Sequence, residues 1–294
     1  MYGPMGNQVY GGNIVAYDYE LLDVEVDERV ATVTVSNPPI NLITLPLYFE
    51  LMALSQELDA DADLTVVVMK SADPDFFLAH FDVEAILAFP TDTPAERSDE
   101  LNDYHQMCER FRTMDKVTIA QIEGRVGGGG SELAASFDMR FGVRGRTRIN
   151  QMEVPIGILP GGTGTQRLPR LVGRGRALEI ILGGDDLDAE TAERWGYLNR
   201  IFEADEIGGF VASLAARIAS FPVEAVRLAK ASVDAHLLGL HEGMVEEAYL
   251  FQQLLRTDGA QTAMRRFLAL GGQTREGELR VGELNAEVGT SGKT

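Results

Sequence analysis

The chain has 294 residues, 45% of them hydrophobic, and its 45 acidic residues outnumber 26 basic ones for a net charge of −19. That is enough apolar material for one long domain, or a domain with a helical appendage. The surface repels phosphate backbones and anionic lipids, so neither a nucleic-acid partner nor a membrane is expected. Cys108 is the only cysteine, which excludes an intramolecular disulfide and a multi-cysteine zinc site. His80, His105, His236 and His241 show no ligand spacing, so no metal is expected. Met1 to Asn13 lacks the basic and apolar regions of a signal peptide, and a cytoplasmic setting is expected.

Residues 1–15 read as a flexible tail. Leu22, Val24 and Val26 alternate with acids, and Ala31, Val33 and Val35 alternate with Thr32, Thr34 and Ser36; together they predict a hairpin turning at Asp27-Glu28-Arg29. Asn37-Pro38-Pro39 stops the second strand. Thr44, with Pro46 behind it, marks a helix start, and Leu47, Leu51, Leu54 and Leu58 follow at helical spacing. Leu64–Met69 and Val117–Ile122 are near-continuous apolar runs, as in strands covered on both faces. Residues 84–96 read as a loop and 97–114 as a helix with Leu101, Tyr104, Cys108 and Phe111 on one face. Four glycines, Gly127–Gly130, separate a strand from a helix predicted over Ser131–Phe137, and Met139, Phe141 and Val143 alternate again. The βα alternation predicts an α/β fold. From 207 only helices are expected: 207–220, 222–238, 241–256 and 259–269. The segment from 272 has no periodic apolar face and reads as a frayed tail.

The glycine run bares backbone N–H groups at a helix start, a place suited to negative charge developing on oxygen. It lacks the lysine of a P-loop and the spacing of a dinucleotide fingerprint; a tight turn with close packing is the plain alternative. Glu132 follows two residues later, and Glu153 sits in an apolar, turn-rich segment. Singly, they read as a first-turn acid and a surface charge. As a pair facing one site, one pKa is expected to rise and the other to stay low, giving an acid and a base.

Several segments then resemble, in order, motifs of the enoyl-CoA hydratase/isomerase (crotonase) family. Asp75-Phe76-Phe77-Leu78-Ala79-His80-Phe81-Asp82-Val83 is similar to F-x-A-G-A-D-L. Glu123–Ala134 is similar to N-G-x-a-x-G-G-G-x-E-L-A, and Asn150–Gly161 to G-Q-P-E-x-x-x-G-x-x-P-G. Thr165–Gly173 and Ala189–Leu198 continue the register. The resemblance covers about residues 20–270. It implies a spiral of ββα turns, here 16–206, followed by a C-terminal helical region, 207–271, used for homotrimers or dimers of trimers, with 272–294 as a tail. It implies an acyl-CoA or enoyl-CoA thioester as substrate, coenzyme A entering as part of that substrate with no separate cofactor, and a place in fatty acid metabolism.

The carried-over roles are catalytic for Glu132 and Glu153, which would hold a water, and for the backbone amides of Phe81 and Gly129, which would form an oxyanion hole. Ala79, His80 and Asp82 lie on the loop implied to contact coenzyme A. Retention of both acids favours hydration of a 2-enoyl-CoA; isomerisation, thioester hydrolysis or non-catalytic acyl-CoA binding are the alternatives. His80 stands where the family usually has glycine, and Phe81 where it has alanine. If the Phe81 ring faces the acyl pocket, it excludes long or branched chains. Met152 replaces a proline, and no basic residue in Asn37–Asn41 meets the phosphates.

Overall fold

The computed structural model describes residues 17–89, 100–237 and 257–271, with single positions at 249, 251, 253, 273, 285, 287 and 288. The predicted tail 1–15, positions 90–99 of the predicted loop and helix, most of the 241–256 helix and most of the segment from 272 lie outside the described residues.

Strands β1 (Leu22–Asp27) and β2 (Val30–Val35) form the predicted antiparallel hairpin, with Leu22 opposite Val35. Ala31, Val33 and Val35 are fully buried, whereas Val26 on the outer strand is 49% exposed. Helix α1 (Leu45–Ala60) buries Leu47, Leu51, Leu54 and Leu58. Its start rests on Pro46, because the Thr44 side chain makes no capping hydrogen bond. Then come β3 (Val66–Ser71), β4 (Phe76–Leu78) and a short helix α2 (Val83–Leu87). That helix replaces the first part of the predicted loop: the Asp82 carboxylate accepts from the Glu84 amide and caps it. Helix α3 begins at Asp103, not at 97, because the Asn102 side chain caps it by accepting from the His105 amide at 2.8 Å.

Strands β5 (Val117–Ile122) and β6 (Arg125–Gly127) lead into α4 (Gly128–Ala134). Here Gly127 ends β6, and Gly128–Gly130 are not a turn before the helix but its first residues. Gly130 explains the need: a Cβ there would lie 2.6 Å from the carbonyl oxygen of Leu78. Gly128 adds a left-handed φ of +44°. Strands β7 (Met139–Val143) and β8 (Arg148–Asn150) follow. Then come α5 (Gly164–Val172), α6 (Arg174–Gly183), β9 (Leu187–Asp188), α7 (Ala189–Trp195) and β10 (Arg200–Phe202).

The chain winds between two sheets. The larger has the order β1-β2-β3-β5-β7-β10 and the smaller β4-β6-β8-β9. Each turn lays a strand in the large sheet and the next in the small one, so β3-β5-β7 and β4-β6-β8 run in step, parallel within each set. This is a mixed α/β fold of the spiral kind that the motifs imply. The main core fills the space between sheets and helices, with Phe77, Phe111, Leu133 and Tyr197 inside it. Helix α8 (Ile207–Ala219) covers the outer face of the large sheet, burying Ile207, Val211 and Ala215 against Val66, Val68 and Phe141. Helices α9 (Val223–Asp234) and α10 (Asp258–Ala269) end the described chain, with a 3₁₀ turn at Ala235–Leu237 between them; α9 buries no residue fully.

The small sheet positions the chemistry. Its three parallel strands end side by side, and the segments after them carry Phe81, the glycine run with Glu132, and Glu153. Ligands gather at the carboxyl ends of parallel strands. Gly130→Ala is expected to force α4 away from β4 and to cost about 1–3 kcal/mol in urea unfolding, as overpacking does; an unchanged midpoint would show that the helix can yield there.

Candidate active site

Glu132 lies on α4, facing inward, and is only 3% exposed. Its Oε1 accepts two backbone hydrogen bonds, from the Gly162 amide at 2.8 Å and the Gly164 amide at 2.7 Å. Both donors must be glycines: a Cβ on Gly162 would lie 2.7 Å from Glu132 Oε2, and one on Gly164 3.0 Å from Oε1. Burial pushes the Glu132 carboxyl up to about 7; the Gly164 and Gly162 amides pull against this, and the charge of Glu153 adds to it.

Glu153 leaves the end of β8 in a segment without regular structure and is 7% exposed. Its Oε1 faces Gly128, where a Cβ would lie 3.0 Å away, and its Oε2 is buried with no hydrogen-bond partner among the described residues. Burial raises this carboxyl too. The expectation that one of the two acids would keep a low pKa therefore fails: desolvation is the largest influence on both, and both are raised.

The backbone segments that carry the two predicted amides lie close together. Phe81 bridges to Ile43 through the amide of Asp82 and the carbonyl of His80, which leaves the Phe81 N–H outside the pairing. The Gly129 amide lies in the first turn of α4, where N–H groups have no acceptor within the helix. A methyl group on Gly129 would lie 3.6 Å from the Phe81 nitrogen. Anchored carbonyls fix both peptides: His80 O accepts from Ile43 N at 2.9 Å, and Gly128 O from Gln151 Nε2 at 3.4 Å.

Glu132, Glu153, Phe81, Gly129 and His80 line one cavity of about 490 Å³, together with Leu45, Tyr48, Tyr104, Ile156 and Leu159 among others. Ala79 and Asp82 do not line it. The Ala79 carbonyl packs against Gly127, and the Asp82 carboxylate is occupied in capping α2. His80 sits in ordinary backbone, since the positive-φ non-glycine residues described are Glu28, Asn41, Thr163 and Gln273. Its Nδ1 pairs with the Phe81 carbonyl at 2.9 Å, which makes that nitrogen the donor. Among the described residues, no lysine or arginine lines this cavity. Cys108 is fully buried, and burial pushes its thiol up, as for a packing residue.

Sequence reasoning placed Tyr104 only on a helix face, but its hydroxyl donates to the Gly129 carbonyl at 2.7 Å and its ring lies against Gly162. It thus ties the first turn of α4 to the glycine that holds Glu132. Gly162 and Gly164 were also missed as functional donors.

A carboxyl whose pKa is raised on folding binds its proton more tightly in the folded chain. Stability from this source is complete below the unfolded value and is lost as pH rises through about 7. Ionising Glu132 in the fold therefore costs on the order of 3 kcal/mol. Glu132→Gln keeps an oxygen for the two amides and carries no charge. Relative to wild type, the variant is expected to gain unfolding free energy between pH 5 and pH 8; a constant difference across that range would contradict the raised pKa.

Comparisons with known proteins identify the family. The family model described as enoyl-CoA hydratase/isomerase matches residues 25–272. A Rhizobium meliloti protein named probable enoyl-CoA hydratase is 33% identical, over 85% of this chain and 96% of its own. The crotonyl-CoA hydratase of Syntrophomonas wolfei is 30% identical, over 85% and 95%. The crystal structure of the enoyl-CoA hydratase from Bacillus anthracis superposes with a TM-score of 0.77 at 25% identity, over 85% and 96%. With the fold, the motif order and the family match in agreement, the chain belongs to the enoyl-CoA hydratase/isomerase family.

Proposed function

We propose that the protein is an enoyl-CoA hydratase, adding water across the C2=C3 bond of a 2-enoyl-CoA. The observation that carries this reading is the placement of two buried carboxyls and two backbone amides around one cavity. The thioester oxygen accepts from the Phe81 and Gly129 amides. Glu132, its Oε1 held by Gly162 and Gly164, takes a proton from water through Oε2 as the hydroxyl oxygen bonds to C3. C2 takes the proton of the Glu153 carboxyl, and the charge that accumulated on the thioester oxygen returns to the carbonyl. A second water passes the proton from Glu132 back to Glu153. The raised pKa of both groups suits this cycle, which needs one carboxyl ionised and one protonated.

Coenzyme A is part of the substrate in this reading, and no separate cofactor is required. The names of the relatives from Rhizobium meliloti and Syntrophomonas wolfei support the activity. Exposed Val233, Leu237 and Leu268 on the C-terminal helices support a homotrimer or a dimer of trimers. We place the enzyme in the cytoplasm, in fatty acid metabolism; among the described residues no single helix is long and apolar enough to cross a membrane.

Mixed with crotonyl-CoA, the purified protein is expected to remove the enone absorbance and give a product heavier by one water. A product of unchanged mass would mean isomerisation, free coenzyme A would mean thioester hydrolysis, and binding without turnover would mean a non-catalytic member. Glu132→Gln and Glu153→Gln are each expected to lower kcat by about 10²–10⁴-fold with KM nearly unchanged, the usual worth of a general acid or base. Full activity in either variant would remove that residue from the mechanism.

A further inference from the structure

We infer that a closed wall of three aromatic rings makes this site specific for short, straight 2-enoyl groups of crotonyl size, and that Tyr48 is a determinant of that limit. The inference rests on the hydratase reading and names the substrate class of the same cavity. Tyr48 on α1, Phe81 after β4 and Tyr104 on α3 come from three separate elements, yet every pair among them is in contact. Tyr48 stacks on Tyr104 with centroids 5.8 Å apart and planes at 17°. It meets Phe81 edge-on at 5.7 Å and 73°, and Phe81 meets Tyr104 edge-on at 6.0 Å and 80°. These are the separations of rings packed against each other, which leaves no channel for an alkyl chain between them.

The wall stands where the acyl group has to go. The Phe81 Cβ lies 3.3 Å, and the Tyr104 hydroxyl 3.1 Å, from the point where a methyl on Gly129 would sit, so both rings flank the oxyanion amides. In this proposal the thioester oxygen is held there and C3 lies beside Glu132, which sets carbons beyond C4 against Tyr104, the ring packed on the Gly162 that holds Glu132. That direction ends blindly. Two ring carbons of Tyr104 lie 2.7 Å from the position of a Cβ on Gly162, so not even a methyl group fits between α3 and the 160–164 segment. The Tyr104 hydroxyl is tied to the Gly129 carbonyl at 2.7 Å, which keeps the ring from swinging aside. The cavity of about 490 Å³ must also take the pantetheine end of the substrate. Tyr48 makes no hydrogen bond to the acids or to the Phe81 and Gly129 peptides, so its substitution acts through the packing of the wall.

The test is the ratio of kcat/KM for trans-2-decenoyl-CoA to that for crotonyl-CoA, with 3-methylcrotonyl-CoA as the branched probe. In the wild type this ratio is expected to be below about 0.1, the discrimination a filled apolar pocket gives. Tyr48→Ala is expected to raise it about 10-fold or more, and Tyr48→Leu, which keeps more of the packing, to raise it less. Equal use of both chain lengths by the wild type would overturn the inference, as would Tyr48 variants that slow all substrates alike. If no enoyl-CoA of any length is hydrated, the hydratase reading fails by itself. Calorimetric binding of butyryl-CoA and decanoyl-CoA then decides the wall: a preference for butyryl-CoA that Tyr48→Ala relaxes supports it. Equal affinities, or no binding of either, overturn it.

Discussion

The site depends on a carboxyl held in a dry place by backbone amides. Glu132 gives one oxygen to the Gly162 and Gly164 amides and keeps the other toward the cavity. Two hydrogen bonds to a carboxylate favour its charged form, and burial opposes it; at Glu132 burial wins, and the carboxyl moves to about 7. Much around it follows from that clamp. Gly162 and Gly164 must be glycines because side chains there would meet Glu132 or Tyr104. Tyr104 lies against Gly162 and reaches the Gly129 carbonyl, which links the Glu132 clamp to the first turn of α4.

The spiral brings these parts together without long-range coincidence. Three short parallel strands, β4, β6 and β8, stop at one edge, and each delivers a different component: an amide from the first, an amide and an acid from the second, an acid from the third. The close approach of α4 to β4 at Gly130 sets the spacing between the first two. The strong acidity of the whole chain does not reach into this arrangement as a general field. What matters locally is two buried carboxyls and the backbone of Phe81 and Gly129 around one cavity.

The hairpin, the buried strands and α1 were legible because their apolar periods of two or of three to four residues recur over six residues or more, as with Ala31, Val33 and Val35 or Leu47 to Leu58. Helix α2 and strands β4, β6, β8 and β9 are too short to show a period, and helix starts fixed by a single side chain, such as Asn102, escape pattern reading. Glu132 and Glu153 were found because each lies inside a dense motif. Tyr104, Gly162 and Gly164 were not, because their roles exist only through contacts across 25 to 32 positions of sequence. The shared rise in pKa escaped for the same reason: it follows from burial, which pairing arguments on two acids do not contain.

The most direct test of the buried Glu132 carboxyl is the infrared difference spectrum between wild type and Glu132→Gln, followed through a pH titration. The structure predicts that the protonated carboxyl band of Glu132 persists through mildly acidic pH and disappears near pH 7, where its pKa lies. A band already lost by about pH 5, as for a carboxyl in water, would show that Glu132 is solvated and would contradict the dry clamp.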